Sequence, residues 1–235
     1  YSPSARSKLF SCLWLTNGEE KCDLALAARK QALVQENRLL MVGSVIDIGT
    51  GAGANLKYIS QCETVTDIVC IEPNRNFRAK LEERVAGLVE ERREAGTKPL
   101  KISTFYGTAE QYFATPEGVA RERTFNVATC FLVLCSVSCP TAIVKHLHDC
   151  CLTNGGSLLF VEHVAPPRGT AMRFLFQNVQ PVWNLIGDGC QLCRSTADIV
   201  RKAAPWQGVS WAPYVSPKLA IPVPWAFGVA TKKRR

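Results

Sequence analysis

The chain has 235 residues, of which 47% are hydrophobic and 20% are charged, and this is enough for one domain with a full core. It contains no stretch of about 18 consecutive apolar residues, so we expect no segment that spans a membrane. The formal net charge is +8, which favours anionic surfaces, but aromatic residues are not interleaved with the basic runs and we expect no nucleic-acid platform.

The N-terminal part, residues 1–44, is predicted to be a helical lead-in to a domain that covers residues 45–235. The first 20 residues are polar, and we expect them to be irregular. Asp23 can cap a helix that runs to about Met41, with a mostly apolar stripe that packs on the sheet or covers a ligand site. Because the sequence begins with Tyr1 rather than Met, we expect the natural N-terminus, with any anchor, to lie further upstream.

A short buried strand, a glycine-rich turn and a helix are predicted between Val45 and Ser60. Gly49, Gly51 and Gly53 stand at alternate positions, where they let the backbone turn sharply and approach a ligand closely. The helix opens at Asn55, and its first N–H groups are unpaired. A strand, turn and helix of this kind form the nucleotide-binding half of an open α/β fold.

The acid before the glycines distinguishes between two ligands. Gly49, Gly51 and Ala54 also fit the dinucleotide fingerprint. Asp47, however, ends the strand two residues before the first glycine, where a carboxylate would repel a pyrophosphate. A carboxylate there suits an ammonium or a sulfonium group, and S-adenosylmethionine carries both. We therefore favour S-adenosylmethionine as the cofactor.

Two further strands end in residues that suit the rest of this cofactor. The second strand, Asp67 to Ile71, leads into Glu72, which follows the glycines by about 20 residues and can accept from both ribose hydroxyls. The third strand, Lys101 to Tyr106, is followed by Ala109 and Glu110. A small residue followed by an acid suits an adenine edge.

The second half of the chain supplies the remaining strands. Phe125 to Leu134 is an almost wholly apolar strand, and Pro140 opens the next helix. Asn154-Gly155-Gly156 is predicted to end that helix, before a fifth strand from Ser157 to Val164. His163, at the carboxyl end of this strand, can take a proton or stabilise a thiolate, although a structural histidine is the alternative.

The C-terminal region is predicted to hold two helices and two closing strands. The first helix carries Phe174, Phe176 and Trp183, which with Trp225 can form an apolar acceptor pocket or belong to the core. Asp188 lies between two glycines, where it can orient His163, line the acceptor pocket or serve a turn. A capping-box-like Ser195 opens the next helix. The closing strands, Val209 to Val215 and Trp225 to Thr231, are joined by a Pro-rich link.

Eleven cysteines lie mostly on predicted helices and strands, and their odd number argues for a reducing intracellular compartment. Cys190 and Cys193 form a single CxxC without a second one or a nearby His pair. A structural zinc needs four ligands, so we expect no metal. We interpret Cys135 and Cys190 as packing residues.

From Val45 to the end, the order of these features resembles the class I, S-adenosylmethionine-dependent methyltransferases. The segments Phe131–Val137, Phe160–Val164 and Pro181–Cys190 resemble more closely one branch, the methyltransferase-like thiol S-methyltransferases. The resemblance implies a Rossmann-like α/β fold with a seven-stranded, mostly parallel sheet, helices on both faces and an antiparallel last strand. The first motif is usually Gly-Cys-Gly-Thr-Gly, and the second strand usually ends in Asp-Pro-Asn, so Thr50 and Glu72 depart from the branch while the spacing is intact.

The resemblance implies methyl transfer to a small lipophilic acceptor, most simply an alkyl thiol. The alternatives are transfer to oxygen or carbon of quinone- or sterol-like lipids, and a non-catalytic lipid-surface or partner-binding protein that retains the cofactor fold. Members of the branch associate with endoplasmic reticulum and lipid-droplet membranes, so we expect a monomer on the cytoplasmic side of such membranes if an anchor precedes Tyr1, and a cytoplasmic protein otherwise. His163 and Asp188 are the candidate catalytic residues. The candidate cofactor-binding residues are Asp47, Gly49, Thr50, Gly51, Gly53, Asn55, Glu72, Pro73, Ala109, Glu110 and Leu132.

Overall fold

The computed structural model describes residues 5–218 and 222–234, apart from the side chain of Leu185. These residues contain a seven-stranded sheet in the order β3-β2-β1-β4-β5-β7-β6. Strands β1 to β5 pair in parallel, and β7 runs antiparallel to both β5 and β6, so the predicted Rossmann-like sheet with its antiparallel last strand is confirmed. The strands are β1 (Gly43–Ile48), β2 (Val65–Ile71), β3 (Lys101–Phe105), β4 (Phe125–Phe131), β5 (Leu152–His163), β6 (Gly208–Val215) and β7 (Pro224–Thr231).

The centre of the sheet is formed by β1 and β4. Their apolar and β-branched side chains are buried, as expected for parallel strands that are covered on both faces. The chain winds from β1 outward to β2 and β3, and from β4 outward to β5, so the strand order reverses between β1 and β4. In open α/β sheets the crevice outside the carboxyl ends of such strands is where ligands bind.

Helices cover both faces of this sheet. Neighbouring residues of β1 point to opposite faces, so Ile46 belongs to one buried apolar cluster and Val45 to another. The described residues contain no helix of the length and apolarity that crossing a membrane requires. The helices are α1 (Ala5–Leu13), α2 (Glu19–Glu36), α3 (Leu56–Ser60), α4 (Arg78–Glu94), α5 (Ala109–Phe113), α6 (Pro116–Ala120), α7 (Pro140–His146), α8 (Ala171–Ile186) and α9 (Thr196–Ala203).

The N-terminal region differs from the prediction. Residues 5–13 form α1 rather than an irregular segment, and a π-helical turn at Trp14–Gly18 leads directly into α2. Asp23 therefore lies inside α2 and does not cap it. Its carboxylate accepts hydrogen bonds from Lys57 Nζ at 2.6 Å and Tyr58 Oη at 2.8 Å. The local sequence pattern assigned Asp23 to a helix start, whereas in the fold Asp23 joins α2 to α3.

The start of β5 is also different. Asn154-Gly155-Gly156 lies inside β5, in a bulge where β5 gains residues relative to β4, and does not end the preceding helix. Gly155 has a positive φ of 78°. The Gly155 N–H donates to the Lys233 carbonyl at 3.2 Å, and the Gly156 carbonyl accepts from the Lys232 N–H at 2.8 Å. Pairing with the C-terminal segment, which sequence spacing does not reveal, extends the strand backwards.

Two smaller differences concern element ends. β4 ends at Phe131 rather than Leu134, because Leu132 turns into the left-handed region with a φ of 65°. α9 begins after Ser195 as predicted, but the Ser195 side chain makes no capping hydrogen bond. The described part of the chain leaves out residues 219–221, within the Pro-rich link between β6 and β7, and Arg235, the last residue of the basic C-terminal group.

Candidate active site

The glycine loop leaves β1 at the crevice between β1 and β4. Gly49, Gly51 and Gly53 all adopt positive φ values, of 69°, 60° and 86°, which side chains rarely tolerate. A Cβ on Gly49 would lie 2.3 Å from Val133 Cγ2, so this glycine is needed for packing. A Cβ on Gly51 would meet nothing within 4 Å. The backbone of Gly51 therefore faces open space in which a ligand can approach it.

Asp47 is a buried acid below this loop, with a side chain that is 2% exposed. Its Oδ1 accepts a hydrogen bond from Thr129 Oγ1 at 2.5 Å across the β1–β4 pair. Its Oδ2 is buried and has no hydrogen-bond partner within the described residues. Burial raises the pKa of Asp47 to about 6. A cation would satisfy the bare oxygen and restore the charge, as the sequence analysis predicted for this position.

Glu72 connects the glycine loop to the end of β2. Its Oε2 accepts from the Gly51 N–H and its Oε1 from the Asn74 N–H, both at 2.7 Å. Burial raises its pKa to about 7, against the opposing effect of these two N–H groups. The acid thus shapes the loop. Each oxygen keeps a second lone pair that can accept from a ribose hydroxyl. The bond from Glu72 to the ribose stays a prediction.

The other candidate cofactor residues are distributed along the same edge. A small cavity of about 80 Å³ is lined by Pro73 and by residues 106–108, next to the start of α5. At that start Ala109 is buried and Glu110 is exposed. Asn55 precedes α3, and its Oδ1 is buried without a partner in the described structure. Thr50 Oγ1 donates to the Asp47 carbonyl at 3.2 Å, which fixes the first turn of the loop.

A larger groove, of about 450 Å³, lies between α2 and α4. It touches only Gly53 and Ala54 of the glycine loop and is lined by charged side chains such as Glu19, Arg84 and Glu91. The strands β4 and β5 contribute no lining residue to it. We place the site at the strand ends because the buried acids and the strained backbone lie there.

Glu162 is the residue that the sequence analysis missed. It is fully buried near the end of β5, and its carboxylate accepts three backbone hydrogen bonds from the loop after β4. Oε1 accepts from the N–H groups of Val133 at 3.0 Å and Leu134 at 2.8 Å, and Oε2 accepts from that of Cys135 at 3.1 Å. Burial raises its pKa well above the ordinary value. An acid in the apolar run of β5 was the available signal.

His163 follows Glu162 and contacts a thiol. Its Nδ1 lies 3.4 Å from Cys190 Sγ, and its ring packs on Trp225 with a centroid separation of 5.5 Å. Burial lowers the pKa of His163, so the imidazole is neutral near pH 7. Cys135, His163 and Cys190 place their donor atoms within 4.8 Å of one another. Both cysteines are buried, as expected for packing residues, but they also lie beside His163, which the sequence did not indicate.

Asp188 is brought to the site, but with partners other than the predicted one. Its Oδ1 accepts from Arg6 Nε at 3.2 Å and from Ser7 Oγ at 3.1 Å, while His163 is engaged with Cys190. The Ser7 carbonyl in turn accepts from Asn74 Nδ2 at 3.1 Å. Asp188 thus holds α1 across the edge of the sheet, between the end of β2 and the loop after α8. Its φ of 46° is uncommon for a residue with a side chain.

The predicted aromatic pocket forms only in part. Trp225 and Phe176 are buried, and Trp183 is half-buried. Phe174 is 70% exposed on the outer side of α8 and does not line the site. All eleven cysteines lie in the described part of the chain, and all are free thiols there, in agreement with the expected absence of a disulfide framework.

Comparisons with known proteins agree with this architecture. The family described as "Methyltransferase domain" matches residues 20–197. The thiol S-methyltransferase TMT1B of Mus musculus is 34% identical over 191 residues, which cover 80% of this chain and 70% of that protein. The thiol S-methyltransferase TMT1A of Homo sapiens is 34% identical over 68% of this chain and 59% of its own length. TMT1B of Rattus norvegicus is 31% identical, and the chain spans 59% of its length.

Solved structures share the fold at lower identity. The cyclase SpnF superposes with a TM-score of 0.58 at 17% identity, over 88% of this chain and 81% of that one. An O-methyltransferase family protein from Burkholderia thailandensis gives a TM-score of 0.56 at 12% identity, over 89% of this chain and 56% of that one. Because a cyclase shares the fold, the fold by itself does not decide the reaction.

Proposed function

The chain belongs to the methyltransferase domain family, and from this membership we propose that it transfers a methyl group from S-adenosylmethionine to a small lipophilic thiol. The observation that carries the proposal is the bare, buried oxygen of Asp47 beneath the open backbone of Gly51. The similarity to thiol S-methyltransferases supports the choice of a thiol. We name two regions: the donor side, at the carboxyl ends of β1, β2 and β3, and the acceptor side, at those of β4 and β5.

The donor side fits the cofactor on two observations. Asp47 offers a buried anionic oxygen without a partner in the described structure, and Asn55 offers a second unpaired acceptor. When bound, S-adenosylmethionine supplies an electrophilic methyl group on a cationic sulfur. Asp47 would hold the ammonium group, and Glu72 would keep the Gly51 N–H in place while meeting the ribose. The residues that would bind the cofactor are Asp47, Gly49, Thr50, Gly51, Gly53, Asn55, Glu72, Pro73, Ala109, Glu110 and Leu132.

The acceptor side would prepare the thiol. The thiolate is the nucleophile, so a group that takes the proton or stabilises the anion promotes transfer. His163 is neutral because burial lowers its pKa, and it lies at the end of β5, next to β4 in the sheet. We assign it the stabilisation of the acceptor thiolate. Asp188 is a positioning residue in this scheme, since it holds α1 over the crevice and helps to exclude water.

We further propose that the protein acts as a monomer at the cytoplasmic face of an endoplasmic reticulum or lipid-droplet membrane. The support is an exposed apolar stripe on α8, at Phe174, Leu175, Val179 and Val182, together with the positive net charge. Sedimentation with anionic and neutral phospholipid vesicles tests this. We expect binding that Phe174→Ser weakens, and equal recovery of wild type and variant in the supernatant would contradict it.

A methyl-transfer screen tests the reaction. Purified protein is incubated with labelled S-adenosylmethionine and with alkyl thiols, phenols or quinones, while calorimetry measures the binding of S-adenosylhomocysteine and of NAD. We expect turnover of alkyl thiols and binding of S-adenosylhomocysteine alone. Turnover of phenols or quinones without thiols would replace the proposal by transfer to oxygen or carbon. Cofactor binding without any transfer would identify a non-catalytic protein.

A further inference from the structure

Three ligands that transition metals favour meet on the acceptor side. Cys135 follows β4, His163 ends β5, and Cys190 lies in the loop after α8. Their sulfur and nitrogen atoms all lie within 4.8 Å of one another. Cys193, the sequence partner of Cys190 in the CxxC, does not belong to this group. The cluster is assembled by tertiary structure from residues that are far apart in the chain.

The spacing suits a tetrahedral zinc ion. With zinc–sulfur bonds of about 2.3 Å and zinc–nitrogen bonds of about 2.0–2.1 Å, neighbouring S and N ligands stand roughly 3.5 Å apart. The observed distance between Cys190 Sγ and His163 Nδ1 is 3.4 Å. A neutral imidazole and a thiolate are the forms that bind the metal.

Backbone contacts hold each ligand in place. The Cys135 N–H donates to Glu162 Oε2 at 3.1 Å, and the Cys135 carbonyl accepts from the Gln191 N–H at 2.9 Å. The Cys190 carbonyl accepts from Gln180 Nε2 at 2.9 Å. His163 is fixed by the pairing of β5 with β7. The geometry is therefore organised before any ligand arrives, as a metal site requires.

One coordination position is left over. Within the described residues the cluster offers three ligand atoms, and a tetrahedral ion takes four. Cys135 and Cys190 are buried, whereas His163 is half-buried, so an incoming ligand would approach the cluster from the side of His163. Three protein ligands with one open position are the pattern of catalytic rather than structural zinc.

We infer that Cys135, His163 and Cys190 form an open zinc site whose fourth position takes the acceptor thiol; the second half of this statement rests on the proposed function. The thiol loses its proton to water on binding the metal and remains as a zinc-bound thiolate. A sulfur lone pair then forms the new bond to the methyl carbon, and the bond between that carbon and the sulfonium breaks with its electrons on the departing sulfur. The product thioether carries no charge and leaves the metal.

Metal content tests the site without any turnover. The purified chain is dialysed against a weak chelator and analysed for zinc, and we expect about one ion per chain. Cys190→Ser and His163→Gln should each lower the content by at least about tenfold. Cys193→Ser and Cys139→Ser are the matched controls and should keep the metal. Wild-type content in Cys190→Ser, or a wild-type chain with no zinc, overturns the site.

Two further measurements guard against misfolding and against a disulfide. His163→Cys keeps a metal-binding side chain, so its zinc content should exceed that of His163→Gln. Each variant should still bind S-adenosylhomocysteine, which reports an intact donor side. Peptide mass spectrometry of the purified, active wild type, without added oxidant, would overturn the proposal if it found Cys135 and Cys190 joined as a disulfide.

Cobalt substitution separates the site from its role. Cobalt bound by two thiolates gives a sulfur-to-metal charge-transfer band, and an alkyl thiol added without the methyl donor should shift it. A band that does not shift leaves the metal site standing and overturns the acceptor role. A band that shifts in a protein that methylates no thiol means that the proposed function fails while the metal site and its thiol ligand hold.

Discussion

The donor side and the acceptor side both use a buried glutamate to hold a loop, but in different ways. Glu72 accepts two backbone N–H groups on the donor side, where Asp47 keeps one oxygen bare within the described structure. Glu162 accepts three on the acceptor side, from consecutive residues after β4. The donor side thus keeps unused binding capacity for a cation. On the acceptor side the buried acid shapes the loop that carries Cys135, and the reactive groups that we propose there are sulfur and imidazole.

The two sides need different charges. A cationic donor is matched by a buried anion that is short of partners, because its charge returns when the cation binds. A thiol acceptor must itself become an anion, so a second unpaired carboxylate next to it would oppose the reaction. Substitutions of the two acids should therefore fail in different ways: the loss of Glu162 should lower stability, and the loss of the Asp47 charge should lower affinity for the donor.

The largest effect is expected at Glu162. Glu162→Ala leaves two buried N–H groups and one part-buried N–H group without an acceptor, and each buried group costs about 1–3 kcal/mol. We expect the free energy of unfolding in urea to fall by about 3–5 kcal/mol. Glu36→Ala, an exposed acid at the end of α2, is the control and should stay within about 0.5 kcal/mol of wild type. A loss below about 1 kcal/mol would show that water replaces the carboxylate.

The glycine loop gives a matched pair with the next largest effect. Gly49→Ala places a Cβ 2.3 Å from Val133, in addition to the strain of its positive φ, and should cost about 2–4 kcal/mol of stability. Gly51→Ala meets no neighbour and should cost only the strain, about 1–2 kcal/mol. Its methyl group would instead obstruct the donor, so calorimetry should show weaker binding of S-adenosylhomocysteine. Equal affinities of Gly51→Ala and wild type would place the donor elsewhere.

The charge of Asp47 predicts a pH dependence on the donor side. Because the pKa is about 6, S-adenosylmethionine binding should weaken by up to about tenfold for each pH unit below 6. Asp47→Asn should bind the donor about tenfold more weakly at pH 7.5 and lose this dependence. Calorimetry from pH 5 to about 8 provides the measurement. A profile that the substitution leaves unchanged would assign the titration to another group.

The stability of the donor-free protein should change in the opposite direction. The pKa values of Asp47 and Glu72 rise from 3.8 and 4.5 to about 6 and about 7, so the folded chain holds these protons more tightly than the unfolded chain. Their contribution to the free energy of unfolding is present at low pH, below about 4, and is lost as the pH rises through 6 to 7. Near neutral pH, binding of the cationic donor stabilises the ionised Asp47 and so offsets this loss of stability.

The donor side was predicted from sequence because its residues are local. Asp47 and the three glycines lie within seven positions, and Glu72 ends the next strand, so strand periodicity and glycine spacing suffice. The sheet followed from the same alternation of strands and helices. Each feature needs only short stretches of chain to be recognised.

The acceptor side was predicted only in part: the sequence named His163 and Asp188, but it did not reveal contacts that join distant segments. The CxxC spacing pairs Cys190 with Cys193, whereas in the fold Cys190 lies beside Cys135 and His163. The only local signal for Glu162 is that an acid interrupts the apolar run of β5, and its three partners belong to another strand end. α1 was missed for a related reason. Its residues are a mixture of polar and apolar types with only a weak helical pattern, and the helix is held by contacts to Asp188, Asn74 and Phe77.

The smallest expected effect lies where the two sides meet, at the contact of α1 with Asp188. Arg6→Ala removes an exposed ion pair, which is worth less than about 1 kcal/mol, so stability should be nearly unchanged. We expect the KM for the donor to rise by about two- to fivefold, with kcat within about twofold, because α1 covers the crevice less often. Salt should reduce the difference between variant and wild type, since it screens exposed charges.

Lys8→Ala is the matched control for Arg6→Ala, because it removes the same charge from an exposed position on the same helix. An equal effect of the two substitutions would attribute the change to net charge rather than to closure. A loss of kcat greater than about tenfold in Arg6→Ala would instead mean that Asp188 acts on the reacting groups. The contact would then join the acceptor side, and α1 would carry part of the catalytic arrangement rather than cover it.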